Sequence, residues 1–283
     1  MKKILSTTII VLIIILIGLL YGRFIGTTGL KTNEIMEKTN ILESYDGIKI
    51  VHITDIHYKK VITEKRINLL IKEINKINPD ILIFTGDLID KDSTLTNKDI
   101  NFLTKSLSKI NTTYGKYAVM GDNDYKNEET IKSLYIQSNI TLLKNEYIII
   151  HNKNNDKIFL GGLDSYSKDK SSIDTMLNDY KEENICYKII MIHEGDYIPT
   201  IISKIPDTNL ILAGHSLNGS INIPLIKNIL LPKKAKKYYK PYYKINNTKI
   251  YISNGVGVNN INFRLFNKPS INLYRIKKSL STN

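Results

Sequence analysis

Five short polar clusters, each closing an apolar run, hold the residues able to do chemistry. Asp55 and His57 follow "IKIVHIT", Gly86 and Asp87 close "PDILIFTGD", and Gly121-Asp122-Asn123-Asp124 follows "KYAVM". His193 opens "HEGD" after "KIIMI", and His215 follows Gly214 after "NLILA". Residues two apart on an extended segment point the same way, so Asp55 and His57 are suited to one shared site. Mixed Asp and His donors suit Mn, Fe or Zn better than Mg or Ca. Each cluster alone has a plain reading, because Gly-Asp after a strand is a common turn or helix cap. Their conjunction carries the argument: only five histidines occur, and three of them fall in these clusters.

The elements that must position these residues are legible in the apolar spacing. "EKRINLLIKEINKI" (64–77) carries apolar residues at helical spacing, and "NKDINFLTKSLSKI" repeats the pattern. The runs before Asp55, Asp87 and Asp122 read as buried strands alternating with those helices, which indicates an α/β domain with crossover units. After residue 140, "NEYIIIHN" and "DKIFLGGLD" read as an antiparallel pair, and four more strands follow. Two packed sheets with helices outside form the economical arrangement. Ligands of α/β sheets bind beyond the carboxyl ends of the strands, so five such ends bearing Asp and His indicate one convergent pocket.

Composition bounds the setting. Hydrophobic residues make up 42% and charged residues 24% of the 283, as in a globular chain. The formal net charge of +13 favours anionic partners, although Lys, Ile and Asn recur throughout and a whole-chain bias gives the same figure. A single cysteine, Cys186, excludes an intrachain disulfide and a Cys-rich zinc or iron–sulfur site. The run from Ile4 to Leu20 is almost uninterruptedly apolar and close to the ~20 residues that a spanning helix needs. It reads as an uncleaved anchor. Lys2 and Lys3 favour a cytoplasmic N-terminus and an extracytoplasmic remainder in the cell membrane, while Arg23 and Lys31 oppose that orientation.

The order of clusters resembles the calcineurin-like metallophosphoesterase superfamily, over roughly residues 48–276. That pattern runs Asp-x-His, Gly-Asp-x-x-Asp, Gly-Asn-His-Asp/Glu, His, and Gly-His-x-His. Asp55-Ile56-His57 and Gly86-Asp87-Leu88-Ile89-Asp90 match its first two blocks intact. An anchor followed by this domain looks most like the membrane-associated bacterial branch, which includes enzymes cleaving UDP-diacylglucosamine. The resemblance implies a four-layer αββα sandwich; the apolar run places an anchor at 1–21, the "GTTG" and polar, charged stretch reads as a tether at 22–46, and the metallophosphoesterase domain takes 47–283. It also implies two divalent metal ions and hydrolysis of a phosphoester or pyrophosphate bond by a metal-bound hydroxide. Asp55 and His57 would hold the first ion, Asp87 would bridge, and Asp122, His193 and His215 would hold the second, with Asp87, Asp122 and Asn123 at the reacting centre.

Three positions depart from the pattern. Asp122 replaces the family Asn, Asn123 replaces the His that in the family protonates the leaving group or stabilises the transferring phosphoryl, and Leu217 replaces the last His of Gly-His-x-His. Asn donates a hydrogen bond but is no general acid near neutral pH. Leucine cannot ligate, so the first metal is expected to be weaker, unless Asn218 or Asn254 approaches it. Two functions fit: a metal-dependent phosphohydrolase acting on a phosphorylated, lipid-linked substrate, or an impaired single-metal relative that binds a phosphorylated lipid or envelope component. The Lys/Tyr segment 231–244, "LPKKAKKYYKPYYK", offers a surface for an anionic membrane or headgroup; nucleic acid is a poor match for an extracytoplasmic domain. Pro232 and Pro241 exclude a continuous helix there.

Overall fold

In the computed structural model, residues 2–181, 183–221, 231–259 and 261–279 are described. The layers follow from side-chain alternation. Along β2 (Lys49–Ile53), Ile50 belongs to one buried cluster and Val51 to another. Along β3 (Ile81–Phe84), Ile81 and Ile83 join Ile50, while Leu82 and Phe84 join Val51. Both faces of each strand are apolar because both are covered, as expected of parallel strands.

Among the described residues the strands form two six-stranded sheets. The first runs β1 (Lys31–Thr39), β12 (Ser270–Lys278), β2, β3, β4 (Gly115–Ala118), β5 (Thr141–Leu142). The second runs β10 (Tyr242–Ile245), β11 (Thr248–Ile252), β9 (Leu210–Ala213), β8 (Ile185–Met191), β7 (Lys157–Gly162), β6 (Glu146–His151). Ile50, Ile83 and Tyr117 of the first sheet pack with Leu160, Ile189 and Leu212 of the second, so the sheets stack face to face. The outer face of the first carries α2 (Glu64–Ile77), α3 (Asn97–Ser108) and α4 (Glu128–Gln137). The outer face of the second carries α5 (Ile173–Met176) and α6 (Ile198–Lys204). This is the four-layer αββα sandwich, and β6 and β7 pair antiparallel as their sequence indicates.

Helix α2 spans the residues its periodicity marks, buries Ile67, Leu70, Ile71 and Ile74, and stops at Asn78, whose φ of 53° is left-handed, just before Pro79. Helix α3 starts with a capping box: Thr96 N donates to Asp99 Oδ2 (2.8 Å) and Asp99 N to Thr96 Oγ1 (3.3 Å). Helix α1 (Lys2–Leu20) buries no residue; a π-helical turn (Tyr21–Ile25) extends it.

The segment read as a tether differs. Residues 31–39 form β1, which pairs in parallel with β12 from Lys31↔Ser270 to Thr39↔Lys278. Its sequence, "KTNEIMEKT", hides this because it is a polar edge strand in which only Glu37 is buried. That one buried side chain accepts from Lys249 Nζ and Tyr251 Oη of the other sheet. Replacing Glu37→Leu leaves an ammonium and a phenol without their partner, which costs about 1–3 kcal/mol. Urea unfolding is expected to show that loss; a free tether would show none.

Candidate metal centre

Strands β2, β3, β4, β8 and β9 all deliver their carboxyl ends to one crease between the sheets. The loops there are held in an unusual backbone state. Asp55, His57, Asp87 and His215 have φ of 50°, 49°, 58° and 62°. For a residue with a Cβ this left-handed region costs about 1–2 kcal/mol. The neighbouring loops over-determine it through hydrogen bonds. Asp55 N donates to Gly86 O (2.9 Å), His57 N to Asp87 O (3.1 Å) and Tyr58 N to Leu88 O (2.9 Å). His215 N donates to Asp55 Oδ2 (2.9 Å), which also accepts from Thr54 Oγ1 (2.8 Å). Gly121 must be glycine, because a Cβ there would collide with the Asp87 carboxylate.

The side chains converge in two groups that share Asp87: Asp55, His57 and Asp87, and Asp87, Asp122, His193 and His215. His57 Nε2 lies 3.5 Å from Asp55 Oδ1 and 3.7 Å from Asp87 Oδ2. His193 Nε2 lies 3.2 Å from Asp87 Oδ2 and 3.5 Å from Asp122 Oδ1. His215 Nδ1 lies 3.2 Å from Asp122 Oδ1. All are buried except Asp122, which is partly exposed at the mouth.

The outer nitrogens of two of these rings face carbonyl oxygens: His193 Nδ1 meets Thr85 O (2.5 Å) and His215 Nε2 meets Lys233 O (2.7 Å). A carbonyl only accepts, so the ring protons sit on those outer nitrogens and the inner ones present lone pairs. Asp55 Oδ1, His57 Nε2, Asp122 Oδ1, His193 Nε2 and His215 Nδ1 are buried yet have no hydrogen-bond partner. Such orphans are rare in folded proteins, and a set of carboxylate oxygens and imidazole nitrogens facing one another fits divalent metal ions. Without cations, protons serve instead. Burial favours neutral imidazole, but Asp87 and Asp122 outweigh it and hold the His193 pKa well above the usual histidine range. Burial likewise pushes the Asp55 carboxyl up, and His57, His193 and His215 more than offset it, leaving about 2.

Residues 48–219 match the calcineurin-like phosphoesterase family. The chain belongs to that family. A metallophosphoesterase of Bacillus subtilis, YkuE, is 28% identical over 92% of this chain and 90% of its own length. A bovine transmembrane protein with a metallophosphoesterase domain is 24% identical over 81% of this chain, which spans 52% of that protein. The Haemophilus influenzae NAD nucleotidase shares the fold, with a TM-score of 0.50 and 18% identity over 74% of this chain and 50% of that one.

Against this family pattern, Asn123 is tied to the shared carboxylate: its backbone N donates to Asp87 Oδ1 (2.9 Å) and its side-chain amide to Asp87 Oδ2. Leu217 is buried with φ 51°. A Cβ added to Gly255 would collide with Leu217 Cδ2 and lie 2.9 Å from Asp55 Cβ, so Leu217 fills the space beside the Asp55 group. Asn218 Nδ2 donates to Asn254 Oδ1 (3.1 Å), which ties the two nearby amides to each other.

Sequence reasoning assigned no role to three braces of this phosphoesterase centre. Asp124 accepts from the backbone N of Asp87 (2.8 Å), Leu88 (2.9 Å) and Gly121 (3.0 Å). Burial and the Asp87 charge push its carboxyl up to about 7. Glu194 accepts from Ser165 Oγ, Tyr166 N and Ser167 N and so shapes the rim. Arg264 is fully buried and donates to the carbonyls of Asn254, Gly255, Gly257 and Asn267. An acid directly after His193 or within "GDND" was the available signal for the first two; Arg264 had none. Leu217→His is expected to tighten the weaker of two Mn²⁺ binding events in calorimetry by at least about tenfold, about 1.4 kcal/mol. Unchanged affinity at both sites would show that another group already fills the position.

Proposed function

We propose that the protein is a membrane-anchored phosphohydrolase, dependent on two divalent metal ions, that cleaves a phosphoanhydride or similarly activated phosphoester on a lipid-linked substrate. The observation that carries this is the pair of unpartnered donor sets meeting at Asp87. Asp55, His57 and Asp87 would hold one ion, and Asp87, Asp122, His193 and His215 the other. When bound, such ions supply a water deprotonated near neutral pH and positive charge for the phosphoryl oxygens.

The chain's own residues then set the substrate. Asn123 donates to Asp87 and offers no proton to a departing oxygen, so a leaving group that departs as a stable anion is favoured. Lys91, Lys168, Lys233 and Lys234 line the cleft beside Asp122 and His215 and suit a second anionic group. On the other side of His215, Leu217, Ile221, Pro232, Ile261 and Phe263 share the lining of a trough with Ser216, Ser220 and Asn259. A cationic cleft adjoining a trough of mixed polarity suits a phosphate with an apolar substituent. The helix Lys2–Ile25 is long and apolar enough to cross a membrane. Residues 1–21 then serve as anchor, and the two lysines at positions 2 and 3 favour an extracytoplasmic catalytic domain.

The buried Leu217 favours a second reading, a single-metal relative that binds such a lipid without turnover. Metal content and hydrolysis of bis-p-nitrophenyl phosphate separate the two. The enzyme is expected to carry two ions per chain and to lose at least about 100-fold in kcat with Asp87→Asn; one ion and no turnover in Mn, Fe or Zn would leave the binding reading. Replacing Asn123→His is expected to raise kcat for an alkyl phosphate by about 100-fold or more and for the p-nitrophenyl ester far less. Equal gains for both would contradict the role given to Asn123.

A further inference from the structure

The chain leaves its apolar helix against one loop, and that contact fixes where the loop sits. Gly22 and Gly26 lie one turn apart and are buried. A Cβ at Gly22 would collide with the edge of the Phe263 ring, and one at Gly26 would collide with the Arg264 carbonyl. Arg264 N donates to Gly22 O (3.0 Å). The helix end is therefore seated on residues 263–264.

If Lys2 and Lys3 mark one face of a bilayer, the hydrocarbon begins near Ile4. At 1.5 Å per residue, about 30 Å of hydrocarbon is crossed in about 20 residues, which reaches Arg23. Whatever packs on Gly22 lies at that depth. The loop beside it is apolar and open: Ile261 is 60% and Phe266 73% exposed, next to Phe24 at 62% and Ile25 at 54%. Exposed Arg23 and Lys268 flank these residues, as suits the level of anionic headgroups.

We propose that residues 261–266 are a second membrane contact, in which Ile261 and Phe266 enter the lipid interface beside the helix and hold the mouth of the phosphoesterase centre against the bilayer. This rests on the anchored reading above. Ile261 and Phe263 also line the trough at His215, so the same loop is a wall of the site and a foot on the membrane. Its other face is tied to the centre. Leu265 N donates to Ser220 O (3.0 Å), Asn267 Nδ2 to Leu217 O (2.6 Å), and Arg264 Nη2 to Asn254 O (2.7 Å).

The chain contains no tryptophan, so a single introduced one reports its own depth. Full-length Phe266→Trp and Ile261→Trp in nanodiscs with bromine on the lipid acyl chains are compared with two controls. Leu12→Trp lies in the helix. Ile136→Trp lies on α4, which packs on β5, at the opposite edge of the first sheet from β1. Blue-shifted emission and at least half the quenching of position 12 are expected at 266 and 261, with none at 136. Quenching at 12 alone overturns the second contact and leaves the anchor intact. Loss of quenching at 12 as well overturns the anchored reading and this inference with it.

Discussion

A buried carboxylate needs positive charge beside it, and Asp87 is the buried carboxylate on which this molecule is organised. Taking such a charge out of water costs several kcal/mol unless it is paired. Asp87 lies between His57 on one side and His193 on the other, with Asn123 donating to both of its oxygens. The same residue belongs to both candidate ligand groups. The crease between the sheets is thus a place where negative charge is concentrated and dry. The fold tolerates it because cations, or protons on the imidazoles, complete it.

The backbone around Asp87 carries the consequence. To aim inward, four of the candidate ligands adopt left-handed φ, which only a dense web of loop-to-loop hydrogen bonds sustains. Asp124 gathers three of those amides with one carboxylate. Arg264 does the converse, gathering carbonyls from the loop after β11 with one guanidinium. Because the backbone of Arg264 also meets the helix exit at Gly22, the end of the apolar helix and the Asp55 side of the centre share one scaffold.

The differences from sequence-based expectation share a cause. A tether was expected at 22–46 because β1 lacks an apolar face; what fixes β1 is parallel pairing with β12 and the contact of Glu37 with Lys249, 212 positions away. Arg264 likewise carries no periodic mark, since its partners are backbone carbonyls of its own irregular loop between β11 and β12, which meet its guanidinium only once that loop is folded. Leu217 was visible as a departure from a pattern, but its meaning was not. Only the tertiary structure shows it buried beside Gly255, on the Asp55 side of the centre.

The sequence by itself determined the strands that carry the site, the first two outer helices and the candidate chemistry. Apolar runs and helical spacing are local properties, and Asp or His at the end of such a run is placed at a strand's carboxyl end without knowledge of the partner strands. The tertiary structure decided which ends meet. It brings Asp55, His57, Asp87, Asp122, His193 and His215 from five strands and two sheets within a few ångströms of one another, and it seats the apolar helix on the loop that walls their mouth. Those are contacts between residues far apart in the chain, set by sheet stacking and loop hydrogen bonds rather than by any local propensity.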